Sequence, residues 1–260
     1  MIKQQYFFGD CRKLIKNLEN ESINLVVTSP PYNIGKKYGE YKDNVPLNEW
    51  EQLISDITKE IVRVLKPNGS FFLNISPVPD NKTKEIIPLE SIVYFIGKKH
   101  GLHLRNSIIW NFNNMQNCTN RLSGRWESIL WFVKDINNYV FNLKDIKVPY
   151  ITKNDKRLDP NGGRNPTDVW YFDRVNNMTK QKLGITDAPC VYPVPMIERI
   201  LKMSTNENDI VLDPFLGSGT TLIACSHLNR KGIGYELDKK FEQIIKKRLQ
   251  TETSIQKTLI

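Results

Sequence analysis

The sequence predicts an α/β fold built on a largely parallel sheet, with its ligands at the carboxyl ends of the strands. Three stretches carry that expectation. Ile23 to Val27 is an apolar run of the kind a buried parallel strand needs, and Thr28-Ser29-Pro30-Pro31-Tyr32-Asn33 ends it. Two consecutive prolines lack N–H donors and fix φ, so the chain must leave the sheet in a stiff, extended corner. Val211-Leu212-Asp213-Pro214-Phe215-Leu216-Gly217-Ser218-Gly219-Thr220-Thr221 is again an apolar strand, then a glycine-rich turn, then a helix over 222–228. Gly232 to Leu237 is a third strand, and Glu236 near its end follows the glycine turn by ~20 residues.

The corner offers a serine hydroxyl, carbonyls that no local N–H can claim, and the face of Tyr32. That set suits a flat polar group bearing an amino substituent, such as a nucleobase stacked on the ring. A proline-rich turn with Tyr32 as packing is the other reading of the same residues. The glycine turn lacks the Lys of a phosphate-binding loop, and Leu222 stands where a dinucleotide fingerprint has its third glycine. Glu236 is spaced to grip ribose hydroxyls. A ligand with a ribose and no pyrophosphate fits S-adenosylmethionine.

Together these stretches resemble the amino-methylating DNA methyltransferases, which modify cytosine N4 or adenine N6. Ser29-Pro30-Pro31-Tyr32 is similar to their catalytic motif, and Asp213 to Gly219 to their cofactor motif. Catalytic motif first and cofactor motif last is the order of the β group, a circular permutation. The resemblance implies a Rossmann-like S-adenosylmethionine-dependent methyltransferase fold, circularly permuted, with an inserted target-recognition segment. Residues 1–136 would be the catalytic half, 137–187 the recognition segment, 188–250 the cofactor half and 251–260 a tail. It implies Ser29, Pro30, Pro31 and Tyr32 as catalytic residues. Asp10, Asp213, Pro214, Phe215, Gly217, Ser218, Gly219, Thr220 and Glu236 would form the cofactor site. Serine at the first motif position is more common in cytosine-N4 enzymes and aspartate in adenine-N6 enzymes, so cytosine N4 is favoured and adenine N6 is the alternative. The implied partner is double-stranded DNA. A cognate restriction endonuclease and a homodimer are compatible with it.

Composition agrees. A formal net charge of +9 favours a polyanionic partner. There is no apolar run long enough to span a membrane and no signal-peptide core at the start. The four cysteines show no metal-ligand spacing, so no metal is expected and a cytoplasmic, reducing setting is.

In chain order, Tyr6 to Asp10 reads as a short strand ending in an acid. By the resemblance Asp10 would accept from the adenine amino group; it is equally placed to cap the helix expected over Cys11 to Leu18. Ile34 to Asn44 has glycines, lysines and tyrosines with no apolar period. It is either a loop over the site, with Lys36 and Lys37 for phosphates, or a solvated surface loop. Apolar residues from Trp50 to Leu65 recur at helical spacing, with Trp50 in the core, and Lys66-Pro67-Asn68-Gly69 ends that helix. A strand over 70–75, a turn over 77–81 and a helix from Ile86 to Lys99 follow.

Leu104 to Phe112 and Ser128 to Val133 read as a hairpin. Its polar connection holds Arg121 and Arg125 as DNA contacts. The segment 137–187 is irregular. Arg157, Arg164 and Arg174 within it are candidates for base or phosphate contacts, and Asp168 to Phe172 looks like a strand returning to the core. Pro189-Cys190 precedes a helix over 193–203 and is read as structural, not as the nucleophile of a carbon-5 cytosine enzyme. A last helix over 241–249 carries Lys246, Lys247 and Arg248 in its final turn, where they favour its dipole.

Overall fold

The computed structural model describes residues 2–38, 41–80, 82–113, 117–150, 162–186, 188 and 190–255. Eight strands form one sheet: β1 (Gln5–Phe8), β2 (Ile23–Thr28), β3 (Leu65–Ile75), β4 (His103–Asn111), β5 (Trp126–Val133), β6 (Val169–Tyr171), β7 (Ile210–Asp213) and β8 (Lys231–Glu236). Their spatial order is β1-β8-β7-β2-β3-β5-β4-β6. All pairings are parallel except those of β5, which runs against both β3 and β4. The reversed strand therefore begins at the edge where the others end. Ile75 at the end of β3 faces Ser128, and Trp110 near the end of β4 faces Glu127.

Side-chain alternation divides each central strand between two cores. Phe71, Leu73, Leu130 and Phe132 pack on one face with α2 (Leu47–Val64) and α3 (Leu89–Lys99). Phe72, Ile129, Trp131 and Val133 pack on the other with α5 (Val194–Ser204) and α6 (Thr220–His227). A third cluster seats α7 (Phe241–Ile255) on Leu216 and Leu222. The remaining helices are α1 (Cys11–Leu14), which continues as a 3-10 turn over Ile15–Asn17, and α4 (Asn177–Leu183).

Several boundaries differ from the sequence reading. Lys66 to Gly69 lies within β3 as an irregularity, because five residue steps from Leu65 to Ser70 oppose two from Ile23 to Leu25. Helix α3 starts three residues late, since Ile86–Ile87 pairs with Val78–Pro79 and Pro88 precedes the first turn. Helix α7 runs into the expected tail, as far as Ile255. Arg248 does not sit at a solvated helix end. Its side chain is 2% exposed and donates to Ser218 O, Ser218 Oγ and Thr220 Oγ1 at 2.9–3.1 Å, with Glu252 as its ion partner. It clamps the glycine turn from below. No helix among the described residues is long and apolar enough to cross a membrane.

Candidate active site

The carboxyl ends of β1, β2, β3, β7 and β8 and the start of β5 surround one cleft. Ser29, Pro30, Pro31, Tyr32, Asn74 and Glu127 line one part of it. Asp10, Pro214, Phe215, Gly217, Ser218, Thr220 and Glu236 line the other. Two motifs ~180 residues apart in sequence thus share a wall because β2 and β7 are neighbours in the sheet.

The junction between the strands is a buried polar knot. Asp213 is fully buried and accepts from Thr28 Oγ1 at 2.6 Å, Tyr192 Oη at 2.9 Å, Thr221 Oγ1 at 2.5 Å and Phe215 N at 3.1 Å. Burial pushes its carboxyl up, and these four donors oppose that shift. Asp213 therefore lies beneath the cleft wall and fastens β7 to the strand that carries Ser29. Gly219 is likewise off the wall: at φ 87° it is the left-handed residue that starts α6. Gly217 at φ 55° makes the turn whose amide donates to Glu236 Oε2 at 2.7 Å. Glu236 Oε1 accepts from Asp238 N at 2.9 Å. Burial raises the Glu236 carboxyl, and those amide donors pull the other way.

Asp10 does cap α1, accepting from Arg12 N at 2.9 Å, and also pairs with the Arg12 guanidinium at 2.6 Å. Hydrogen bonding to Arg12 holds its carboxyl below the usual range.

On the opposite side Tyr32 is buried, and its hydroxyl is the hub of a network. It donates to Glu127 Oε2 at 2.8 Å and accepts from Asn74 Nδ2 at 2.8 Å and from Ser29 Oγ at 3.1 Å. Asn74 Nδ2 also reaches Glu127 Oε2 at 2.7 Å. Burial pushes the Glu127 carboxyl up, against hydrogen bonds from Asn74 and Tyr32 and the charge of Arg174. If Tyr32 offered only its ring face, as expected from the motif, Tyr32→Phe would be neutral. The hydroxyl's three partners make that expectation untenable. One motif carbonyl is also claimed after all: Trp50, fully buried in α2, donates from Nε1 to Pro31 O at 2.7 Å.

The basic residues separate by position. Arg174 lines the cleft, with its guanidinium 4.9 Å from the Phe112 ring centroid. Arg121 is exposed and Arg125 half-buried on the loop between β4 and β5, at the carboxyl edge but off the cleft wall. Lys36 is exposed; its backbone N–H, with those of Asn33 and Ile34, donates to Asp43, which orders the loop after the motif. Arg164 is half-buried, and its backbone pairs with Val148 away from the cleft. Arg157 and the Lys37 side chain lie outside the described residues. Cys190 is exposed on the cleft wall, not packed as a structural cysteine would be. No cluster of three or more His, Cys, Asp or Glu side chains suited to a metal ion occurs among the described residues.

Glu127, Asn74 and Tyr192 were not singled out from the sequence, and Arg248 only as a cation in the last turn of its helix. A lone Glu just before a predicted strand carries no signal until that strand is known to run backwards from the sheet's functional edge.

Residues 23–247 match the DNA methylase family, N6_N4_Mtase. The type II methyltransferase M.HpaI of Haemophilus parainfluenzae is 35% identical over 96% of this chain and 76% of its own length. The DNA adenine methyltransferase YhdJ of Escherichia coli is 29% identical over 93% of this chain and 81% of its own. Among solved structures, the cytosine-N4-specific PvuII DNA methyltransferase superposes with a TM-score of 0.76 at 19% identity, covering 99% of this chain and 94% of that one. The M1.HpyAVI complex with S-adenosylmethionine superposes with a TM-score of 0.63 at 26% identity, covering 95% and 99%. The fold is the Rossmann-like methyltransferase fold in its circularly permuted order, and the chain belongs to the amino-methylating DNA methylase family.

Proposed function

We propose that this DNA methyltransferase acts on the N4 amino group of a cytosine flipped out of duplex DNA. The carrying observation is the polarity of the Ser29 hydroxyl. The single proton of Tyr32 Oη faces Glu127 Oε2 at 2.8 Å and Asn74 O at 3.3 Å, both acceptors, so toward Ser29 that oxygen can only accept. Ser29 therefore donates to Tyr32 and keeps its lone pairs for the cleft. Lone pairs directed at an amine draw its hydrogens and localise the nitrogen lone pair that must attack. The Pro30 carbonyl is the second acceptor in this reading.

The cofactor, S-adenosylmethionine, supplies the methyl group as a sulfonium. The residues present fit it: Glu236 spends one acceptor position of each oxygen on a backbone amide and has others for ribose hydroxyls. Asp10, with four acceptor positions against the N, Nε and Nη2 donors of Arg12, takes the adenine amino group. Pro214, Phe215, Ser218 and Thr220 form the wall, while Asp213 and Gly219 shape it from behind. The serine favours cytosine, while the relatives include one named for adenine, so the product must be identified chemically. Tyr32 stacks on the flipped base in this reading. Lys36, Lys37, Arg121 and Arg125 neutralise phosphates, and Arg157, Arg164 and Arg174 belong to the recognition segment over 137–187.

Glu236→Ala is expected to weaken binding of S-adenosylmethionine by roughly 1.5–3 kcal/mol, the range for hydrogen bonds to a charged group. Titration calorimetry on the intact protein checks this, and an unchanged affinity would place the ribose elsewhere.

A further inference from the structure

We infer that Glu127 is the proton acceptor of methyl transfer, reached from the amine through the hydroxyls of Ser29 and Tyr32. The inference rests on the reading that Ser29 receives the target amine. As the methyl carbon–nitrogen bond forms and the carbon–sulfur bond breaks, positive charge passes to nitrogen and a proton must leave. It moves from nitrogen to Ser29 Oγ, the Ser29 proton moves to Tyr32 Oη, and the Tyr32 proton moves to Glu127 Oε2. The two internal links are 3.1 and 2.8 Å, both within hydrogen-bond reach. Charge balances: the sulfonium becomes a neutral thioether and the carboxylate a neutral acid. Glu127 then returns its proton to water through the open cleft.

Three features favour this over a merely structural glutamate. The hydrogen bonds run in one direction, Ser29 to Tyr32 to Glu127, and the Tyr32 hydroxyl is nearer Glu127 Oε2, at 2.8 Å, than its other acceptor, Asn74 O, at 3.3 Å. Asn74 Nδ2 braces both later members, at 2.8 Å from Tyr32 Oη and 2.7 Å from Glu127 Oε2. Burial raises the Glu127 carboxyl, which makes its anion a stronger base. The groups facing it are Tyr32 and Asn74 from the motif side and the Arg174 guanidinium past the end of β6; Cys190 lies beyond Tyr32 on the same wall. Only Arg174 opposes the upward shift by charge.

The test is the single-turnover methylation rate of the full chain on duplex DNA, with labelled S-adenosylmethionine, as a function of pH. Transfer needs the Glu127 anion, so the wild-type rate is expected to fall as pH drops through the raised Glu127 pKa. Glu127→Gln keeps the shape, and the Asn74 amide can turn its Oδ1 to the new donor. It is expected to lose about 10²-fold in rate and all of that acid limb, with cofactor affinity unchanged. Tyr32→Phe interrupts the relay while leaving Glu127 in place and is expected to lose a similar factor. It carries the test if the glutamine variant melts early. A Glu127→Gln or Tyr32→Phe protein that folds and reacts within threefold of wild type, with the same pH profile, would overturn the relay. A wild-type protein that methylates no exocyclic amine would overturn the functional reading on which it rests.

Discussion

Ser29→Ala is expected to slow methyl transfer by on the order of 2–4 kcal/mol in the barrier, by analogy with removing one preorganised polar group from a reacting centre. The loss should fall on the single-turnover rate, with S-adenosylmethionine affinity almost unchanged. Ser29 sits on the Tyr32 side of the cleft, whereas the groups proposed for the cofactor, Glu236 and Asp10, line the other. The variant removes the acceptor for the amine and, with it, the first step of the path to Glu127. Its hydroxyl is hydrogen-bonded only to Tyr32 among the described contacts, so stability should change little. A near-native single-turnover rate would remove Ser29 from the mechanism.

The second large effect is on folding. Asp213→Ala leaves Thr28, Tyr192 and Thr221 with buried hydroxyls and no carboxylate to receive them. Hydrogen bonds to a charged group contribute about 1.5–3 kcal/mol each, and the hydroxyls can re-pair in part, because Tyr192 Oη and Thr221 Oγ1 lie 2.9 Å apart and one can donate to the other once the carboxylate is gone. The net loss is expected to be about 3–5 kcal/mol, read by denaturant unfolding with the slope unchanged. A loss below about 1 kcal/mol would show that the knot does not hold β2 to β7.

Much of the frame was legible because it follows from local rules. The prolines at 30 and 31 announced the end of β2, the glycines at 217 and 219 the turn before α6, and the spacing of Trp50, Ile54, Ile57 and Ile61 the face of α2. The site was only half legible for a physical reason. Residues placed by a motif could be named in advance, whereas those placed by long-range pairing could not. Glu127 reaches the cleft because β5 is antiparallel to its neighbours, and Asn74 because β3 ends beside β2. Arg248 stood out only as a cation suited to the dipole of the last helix and is instead buried against Ser218 and Thr220. Asp213 looked like a ligand contact because it stands in the cofactor motif, yet its acceptor positions are filled from within the protein.

The most direct test of the whole account is the chemical identity of the product. DNA from reaction with the purified protein and S-adenosylmethionine would be digested to nucleosides and resolved by mass spectrometry. The account predicts N4-methylcytosine. N6-methyladenine alone would contradict the base assignment and leave amino methylation standing. 5-Methylcytosine would contradict the mechanism itself, because that product requires covalent attack on the ring by a nucleophile such as Cys190, which this account leaves without a catalytic role.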